Sequence, residues 1–167
     1  EHAMDAKNLN HLLAATENDF YNALVCKAAG RLFGHHRAFQ LAAHSAADQE
    51  FKRQSIDTRG YFAFAKEANF TLLERRVAEG WAIQHTKVSE QHRWAEMKER
   101  LDAVDPDWLL LAGITPKGEF RLYSQEHRFK VEPDWIAIYF APPTERTRRG
   151  NGEAEASPPA QPEILAK

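Results

Sequence analysis

Apolar and polar positions fall in blocks along the chain, and the first blocks read as strand, helix, strand. His11 to Ala15 is a short apolar run that stops at the polar cluster Thr16-Glu17-Asn18-Asp19. It reads as a buried strand. A helix follows, which Thr16 or Asn18 can cap and whose positive N-terminus suits Asp19. Phe20, Leu24, Ala28 and Leu32 recur at four-residue spacing, and Ala23, Val25, Cys26 and Ala29 widen the apolar surface nearly all round. That pattern predicts a helix buried on more than one side. Gly34 can take the left-handed position after the last turn. Arg37 to Ala43 reads as a second strand, and Ser45 opens a short polar helix running to about Gln54. Strand, helix, strand at this spacing predicts a parallel pair with a right-handed crossover. A single unit of this kind is incomplete, and its missing strands are expected upstream of Glu1 or in a partner chain.

The pattern then changes. Gly60-Tyr61-Phe62-Ala63-Phe64 reads as a strand, and Asn69 caps a helix from Phe70 to Glu79 with Leu72, Leu73 and Val77 on its inner face. Gly80 ends that helix, and Trp81 to Val88 reads as a strand. Ser89 is expected to cap another helix, with Trp94, Met97 and Leu101 on one face and Glu96 four residues before Arg100 on the other. Trp108 to Thr115 and Glu119 to Ser124 form a hairpin, in which Pro116 and Gly118 suit a type I turn. Trp135 to Phe140 is apolar on both faces, which predicts a central strand. From Pro142 onward prolines, glycines and balanced charges replace the apolar pattern, and the segment reads as a disordered tail. The expected organisation is an α/β unit over residues 1–54, a small α+β domain with an antiparallel sheet over 55–141, and a tail over 142–167.

Composition narrows the function classes. The chain has 167 residues, 43% of them hydrophobic, and 22 Lys+Arg against 24 Asp+Glu give a formal charge of -2. That balance argues against a nucleic-acid partner. One cysteine excludes an internal disulfide framework and a four-cysteine zinc site. There is no apolar run long enough to cross a bilayer.

Candidate chemistry is sparse. The Thr16-Glu17-Asn18-Asp19 turn follows a parallel strand and opens a helix, the edge at which open α/β sheets place ligands. Glu17 and Asp19 disfavour a phosphate directly there, so the cluster suits ribose hydroxyls or a cation, with simple helix capping as the competing reading. The eight histidines show no H-x-x-x-H pair; His35 and His36 are adjacent, and His85 and His92 lie across a strand–helix junction. They are read as solvated side chains with a pH-sensing role as the alternative. Cys26, mid-helix among apolar residues, reads as a small hydrophobe and not as a nucleophile. No nucleophile elbow, dinucleotide fingerprint or phosphate loop occurs. The four tryptophans read as core or interface anchors.

The stretch from His11 to Ala42, with strand Leu12 to Ala15, turn Thr16-Glu17-Asn18-Asp19, the early Asn22 of the helix and Leu32-Phe33-Gly34 before the next strand, resembles the later half of the TrkA-N, or RCK, nucleotide-binding domain. Its flavour is similar to the cytosolic tails of bacterial sodium/proton or potassium/proton antiporters of the NhaP type. Glu1-His2-Ala3-Met4, Gly60 with Phe62 and Phe64, Gly80-Trp81, Trp94, the hairpin Leu109 to Tyr123 and Glu132-Pro133-Asp134-Trp135-Ile136 agree with it. The family has Pro-Gly-Asp where this chain has Pro-Asp.

The resemblance spans roughly residues 1–141 and implies a non-enzymatic regulatory region on the cytoplasmic side of the bacterial inner membrane. Thr16, Glu17, Asn18 and Asp19 would line the nucleotide crevice, the nucleotide being bound only in the full-length protein. The family's Gly-rich first turn and the transmembrane transporter would lie upstream of Glu1. The partners implied are that transporter portion of the same polypeptide and a second copy of the chain, since the helix from Asp19 to Phe33 is too apolar to face water. Two other readings stand beside this one: a fragment of a nucleotide-dependent enzyme, which requires titratable groups converging in one pocket, and a stand-alone interaction domain, which requires a sheet completed by its own later strands.

Overall fold

The structure is a computed structural model describing residues 10–43, 59–65 and 68–143. The helix expected after Ser45, and all of the expected tail beyond its first two residues, lie outside the described residues. Among the described residues the fold is mixed α/β, with a parallel three-stranded sheet, an antiparallel four-stranded sheet and three α-helices.

The parallel layer follows from the first blocks of the sequence. Strand β1 (Leu12–Ala14) leads into helix α1 (Asp19–Phe33), a single 3-10 turn (His35–Arg37) and strand β2 (Ala38–Gln40). β2 lies parallel to β1, with Leu12 opposite Ala38 and Ala14 opposite Gln40. Gly34 closes α1 at φ 99°, its N–H donating to the Gly30 carbonyl at 3.0 Å. α1 does not bury the face its four-residue stripe predicts. Phe20, Leu24 and Leu32 are 71%, 55% and 77% exposed, whereas Ala23, Cys26 and Ala29 are buried. The small side chains win the inner face because they let the helix approach the sheet closely. Cys26 and Ala29 pack directly on Ala14 and Ala38.

Strand β3 (Tyr61–Phe62) pairs parallel with β2 and adds a third strand to the first sheet from a later part of the chain. The sequence places this segment with the antiparallel strands, and Gly60 explains why it sits here instead. A Cβ at Gly60 would lie 2.7 Å from Cys26 Sγ and 3.0 Å from the Ala38 carbonyl. Only glycine lets the chain enter between α1 and β2, and its N–H donates to Gln40 Oε1 at 3.0 Å.

The second sheet has the order β4-β7-β5-β6. Helix α2 (Phe70–Ala78) is capped by Asn69, whose Oδ1 accepts from the Leu72 N–H at 2.8 Å. Its inner face departs from expectation: Val77 is 61% exposed and Arg76 is buried. Arg76 lies 3.9 Å over the Trp81 ring and donates to Asp107 at 3.0 Å, so its long stem packs as a hydrophobe while its head is paired. β4 (Ala82–Lys87) is an edge strand with alternating burial. Helix α3 (Trp94–Val104) begins later than Ser89 predicts. Ser89 instead accepts from the His92 N–H within the preceding turn, and Glu96 pairs with Arg93 at 3.4 Å. Met97 and Leu101 pack α3 onto Tyr139 and Ala141. β5 (Leu109–Ile114) and β6 (Phe120–Leu122) form the expected hairpin, closed by the Gly118 N–H donating to the Thr115 carbonyl at 2.8 Å. β7 (Ile136–Ala141) is central, between β4 and β5.

The chain after β6 joins the two sheets. The Tyr123 N–H donates to the Leu111 carbonyl of β5, while the Phe64 N–H donates to the Tyr123 carbonyl and the Gln125 N–H to the Phe62 carbonyl. Ala63 thus bridges Ser124 in antiparallel sense. One apolar cluster contains Phe39 and Leu41 from around β2, Ala63 and Phe64 from the junction, and Trp81, Leu109 and Phe140 from the antiparallel sheet.

Candidate functional site

The turn singled out by the sequence lies at the carboxyl end of β1. Asn18 is extended (φ -93°, ψ 100°), and its Oδ1 accepts from the Tyr21 N–H at 2.9 Å, which satisfies one of the free donors of α1. Thr16 is held by Asn22. The Thr16 hydroxyl donates to Asn22 Oδ1 at 2.6 Å, the Thr16 N–H donates to the same atom at 3.1 Å, and Asn22 Nδ2 donates back to the Thr16 carbonyl at 2.8 Å. Asn22 is fully buried, and these bonds to the exposed Thr16 satisfy its amide.

The four predicted residues are therefore brought together, in two different capacities. Thr16 and Asn18 spend their side-chain oxygens on the turn and the cap. Glu17 is exposed and Asp19 half-buried at the helix start. The result is a hydrogen-bonded turn carrying two carboxylates at the positive end of α1. Beside it the Leu41 N–H donates to the Ala14 carbonyl at 3.2 Å, so the carboxyl ends of β1 and β2 stay in register into the turn.

Two polar residues near this edge escape a reading based on apolar runs. Asn22 is the staple of the turn, and its signal is a six-residue spacing from Thr16. Gln40 is fully buried at the end of β2; its Oε1 takes the Gly60 N–H, and its Nε2 has no partner among the described residues. A glutamine inside the run Arg37 to Ala43 is the signal for it. Cys26 matches its expectation. It is fully buried with Sγ 3.1 Å from the Phe39 carbonyl, and burial pushes its thiol up to about 11, far from a reactive thiolate.

The histidines divide. His44 lies outside the described residues, and His85 and His92 are exposed on separate segments. His11, His36 and His127 come together, with Arg37, Arg121 and Arg128, around a cavity of about 700 Å³ at the amino ends of β1 and β2. Positions so far apart in the chain give no local motif. Among the described residues no three His, Cys, Asp or Glu side chains are placed to hold one metal ion, these histidines included, and no helix is long and apolar enough to cross a membrane.

Compared with protein-family models, with curated proteins and with solved structures, the chain finds no match.

Proposed function

We infer that this chain is the cytosolic regulatory part of a monovalent cation/proton antiporter, attached to a transmembrane transporter in the same polypeptide. The observation that carries this reading is the turn itself. A Thr-x-Asn-Asp sequence resembling the nucleotide-crevice turn of TrkA-N domains stands between parallel strands, fixed by a buried asparagine at the position that resemblance implies. β1 has a neighbour on one side only among the described residues, which suits a sheet that continues into further strands. The work is allosteric and not enzymatic. A nucleotide, another ligand or a proton binds one state of the transporter better and shifts exchange by that difference, typically ~1–3 kcal/mol. Glu17 and Asp19 would meet the hydroxyls of a bound nucleotide in the full-length protein.

The regulatory part works as a homodimer through α1. Phe20, Leu24, Ala28 and Leu32 form one exposed stripe, with Glu17 at its start and Lys27 and Arg31 near its end. Two copies packed antiparallel along this stripe would set Phe20 against Leu32 and Leu24 against Ala28, and bring the acidic end of each towards the basic end of the other.

Deleting residues 1–167 from the intact transporter, then measuring cation/proton exchange in membrane vesicles over a range of pH and with added nucleotide, tests the proposal. A changed pH or nucleotide response is expected; an unchanged response to both overturns it.

A stand-alone interaction domain is the second reading, and one observation favours it. β3 adds a third strand to the parallel sheet from within the chain and joins it to the antiparallel one. That reading requires a stable monomer.

A further inference from the structure

The amino ends of the parallel strands lie at the opposite edge of the sheet from the Thr16–Asp19 turn, and a different chemistry collects there. His11 immediately precedes β1, His36 and Arg37 precede β2, Arg121 lies on β6, and His127 and Arg128 lie on the loop that follows the junction with β3. Three separate stretches of a chain with net negative charge thus direct three guanidiniums and three imidazoles at one cavity of about 700 Å³. The volume is that of a small-molecule site.

The balance of charge is one-sided. The single carboxylate lining the cavity is Glu119, and Arg121 already holds it at 2.9 Å. Glu126, next to His127 in sequence, is turned to Arg59 at 3.1 Å and to the Phe62 N–H at 3.0 Å. Glu132 is the other acid felt by Arg121, and Lys117 the other cation felt by Glu119. Arg37 and Arg128 have no carboxylate within ion-pair distance among the described residues. The walls are aromatic. His11 sits between Phe39, at 5.8 Å between ring centroids, and Phe120, at 5.5 Å, and His127 stands edge-on to Tyr61 at 4.5 Å. Cations clustered against apolar walls focus a positive field into the cleft. Among the described residues Glu119 offsets Arg121, while Arg37 and Arg128 stand at the cleft with no carboxylate paired to either.

We propose that this cleft is a binding site for a phosphate-bearing anion carrying two or more negative charges, held by Arg37, Arg121 and Arg128 and gripped more tightly as His11 takes up a proton. Guanidinium forks match phosphate oxygens two at a time. A bound dianion raises the proton affinity of the His11 imidazole beside it, so binding and protonation favour each other. His11 shows the need most directly: burial, Arg37 and His36 all hold its pKa below the ordinary value, and an anion in the cleft opposes the latter two. The anion comes either from a soluble phosphorylated molecule or from a phospholipid headgroup.

Isothermal titration calorimetry of the 167-residue chain with inorganic pyrophosphate, at about pH 6 and about pH 8 on either side of the histidine range, tests this. The companion measurement is sedimentation with vesicles of phosphatidylcholine, with and without phosphatidylglycerol. The expected result is saturable binding of pyrophosphate, of the anionic vesicles or of both, about tenfold tighter at the lower pH and about tenfold weaker in Arg128→Gln and in Arg37→Gln. Arg100→Gln, which removes an equal charge from exposed α3, leaves binding unchanged. Pyrophosphate binding without vesicle binding assigns a soluble ligand, and vesicle binding alone assigns a headgroup. No binding of either at about pH 6, or binding that Arg100→Gln weakens as much as Arg128→Gln does, overturns the site. Thermal melts of each variant separate lost binding from lost fold.

Discussion

Three influences on the His11 imidazole agree in sign. Burial comes first, the Arg37 guanidinium second and His36 third, and each makes the protonated ring less favourable in the folded chain. The native state therefore takes up this proton less readily than the unfolded chain, and the stability linked to it rises with pH. The penalty is absent above the ordinary value of 6.5, grows as pH falls through that value, and levels once pH lies below the lowered native value. In phosphate-free buffer the urea midpoint is expected to fall between about pH 7 and about pH 5, and His11→Phe to flatten part of that fall. A phenylalanine keeps the ring between Phe39 and Phe120 while removing the titration. A midpoint in His11→Phe that follows pH as steeply as in the parent chain contradicts this account. Asn22 shows the opposite residue-level case, a polar side chain with no charge to titrate. It is tolerated in the interior because Thr16 supplies both donors and an acceptor.

Among the elements, α1 carries the sharpest conflict between packing and exposure. Its small residues face the sheet and its large ones face outward, which is the reverse of what a free surface favours. The proposed pairing with a second α1 would remove the conflict. Leu24→Glu, at the middle of the stripe, is expected to make the chain a monomer by sedimentation at tens of micromolar, while its thermal melt changes little because Leu24 is 55% exposed. A parent chain already monomeric there counts against the α1 dimer and for the stand-alone domain. The same helix shows what a sequence can and cannot reveal. Its limits were legible because Asn18 and Gly34 act locally, through one side-chain oxygen and one positive φ. Its inward face was not, since hydrophobicity favours Phe20 and Leu24 while the close approach of Cys26 to Gly60 decides the matter, and Gly60 lies 34 residues further on. α2 repeats the lesson. Val77 fits the apolar spacing, yet Arg76 is buried because Trp81, Asp105 and Asp107 are there to receive it. At the candidate site the Thr16–Asp19 turn was legible from its position after an apolar run. The basic cleft was not, because its six side chains come from three distant stretches.

At the scale of the whole molecule the question is whether the parallel and antiparallel sheets stand or fall together. The sequence divides the chain at 54/55, but β3 crosses that boundary to pair with β2, and the Phe62–Phe64 stretch is hydrogen-bonded to the chain after β6. The largest apolar cluster likewise draws on both sides, with Phe39 and Leu41 before the boundary and Trp81, Leu109 and Phe140 after it. Shared backbone bonds and a shared core make partial unfolding costly, because opening one sheet exposes apolar surface of the other. All four tryptophans, at 81, 94, 108 and 135, lie on the later side, so their fluorescence reports chiefly the antiparallel sheet and its helices, with Trp81 also touching the shared core. Phe39→Ala removes a buried ring from β2, and its expected cost is about 3–5 kcal/mol. If the sheets form one cooperative unit, the urea transition seen by tryptophan fluorescence should move down by the same amount as that seen by far-ultraviolet circular dichroism, and the two should coincide. A fluorescence transition that stays in place while the circular dichroism splits would mean that the antiparallel sheet folds without its parallel neighbour. In that case the division at 54/55 would be a true domain boundary, and a signal bound at the parallel sheet would have to cross it through the few hydrogen bonds around Ala63 and Ser124.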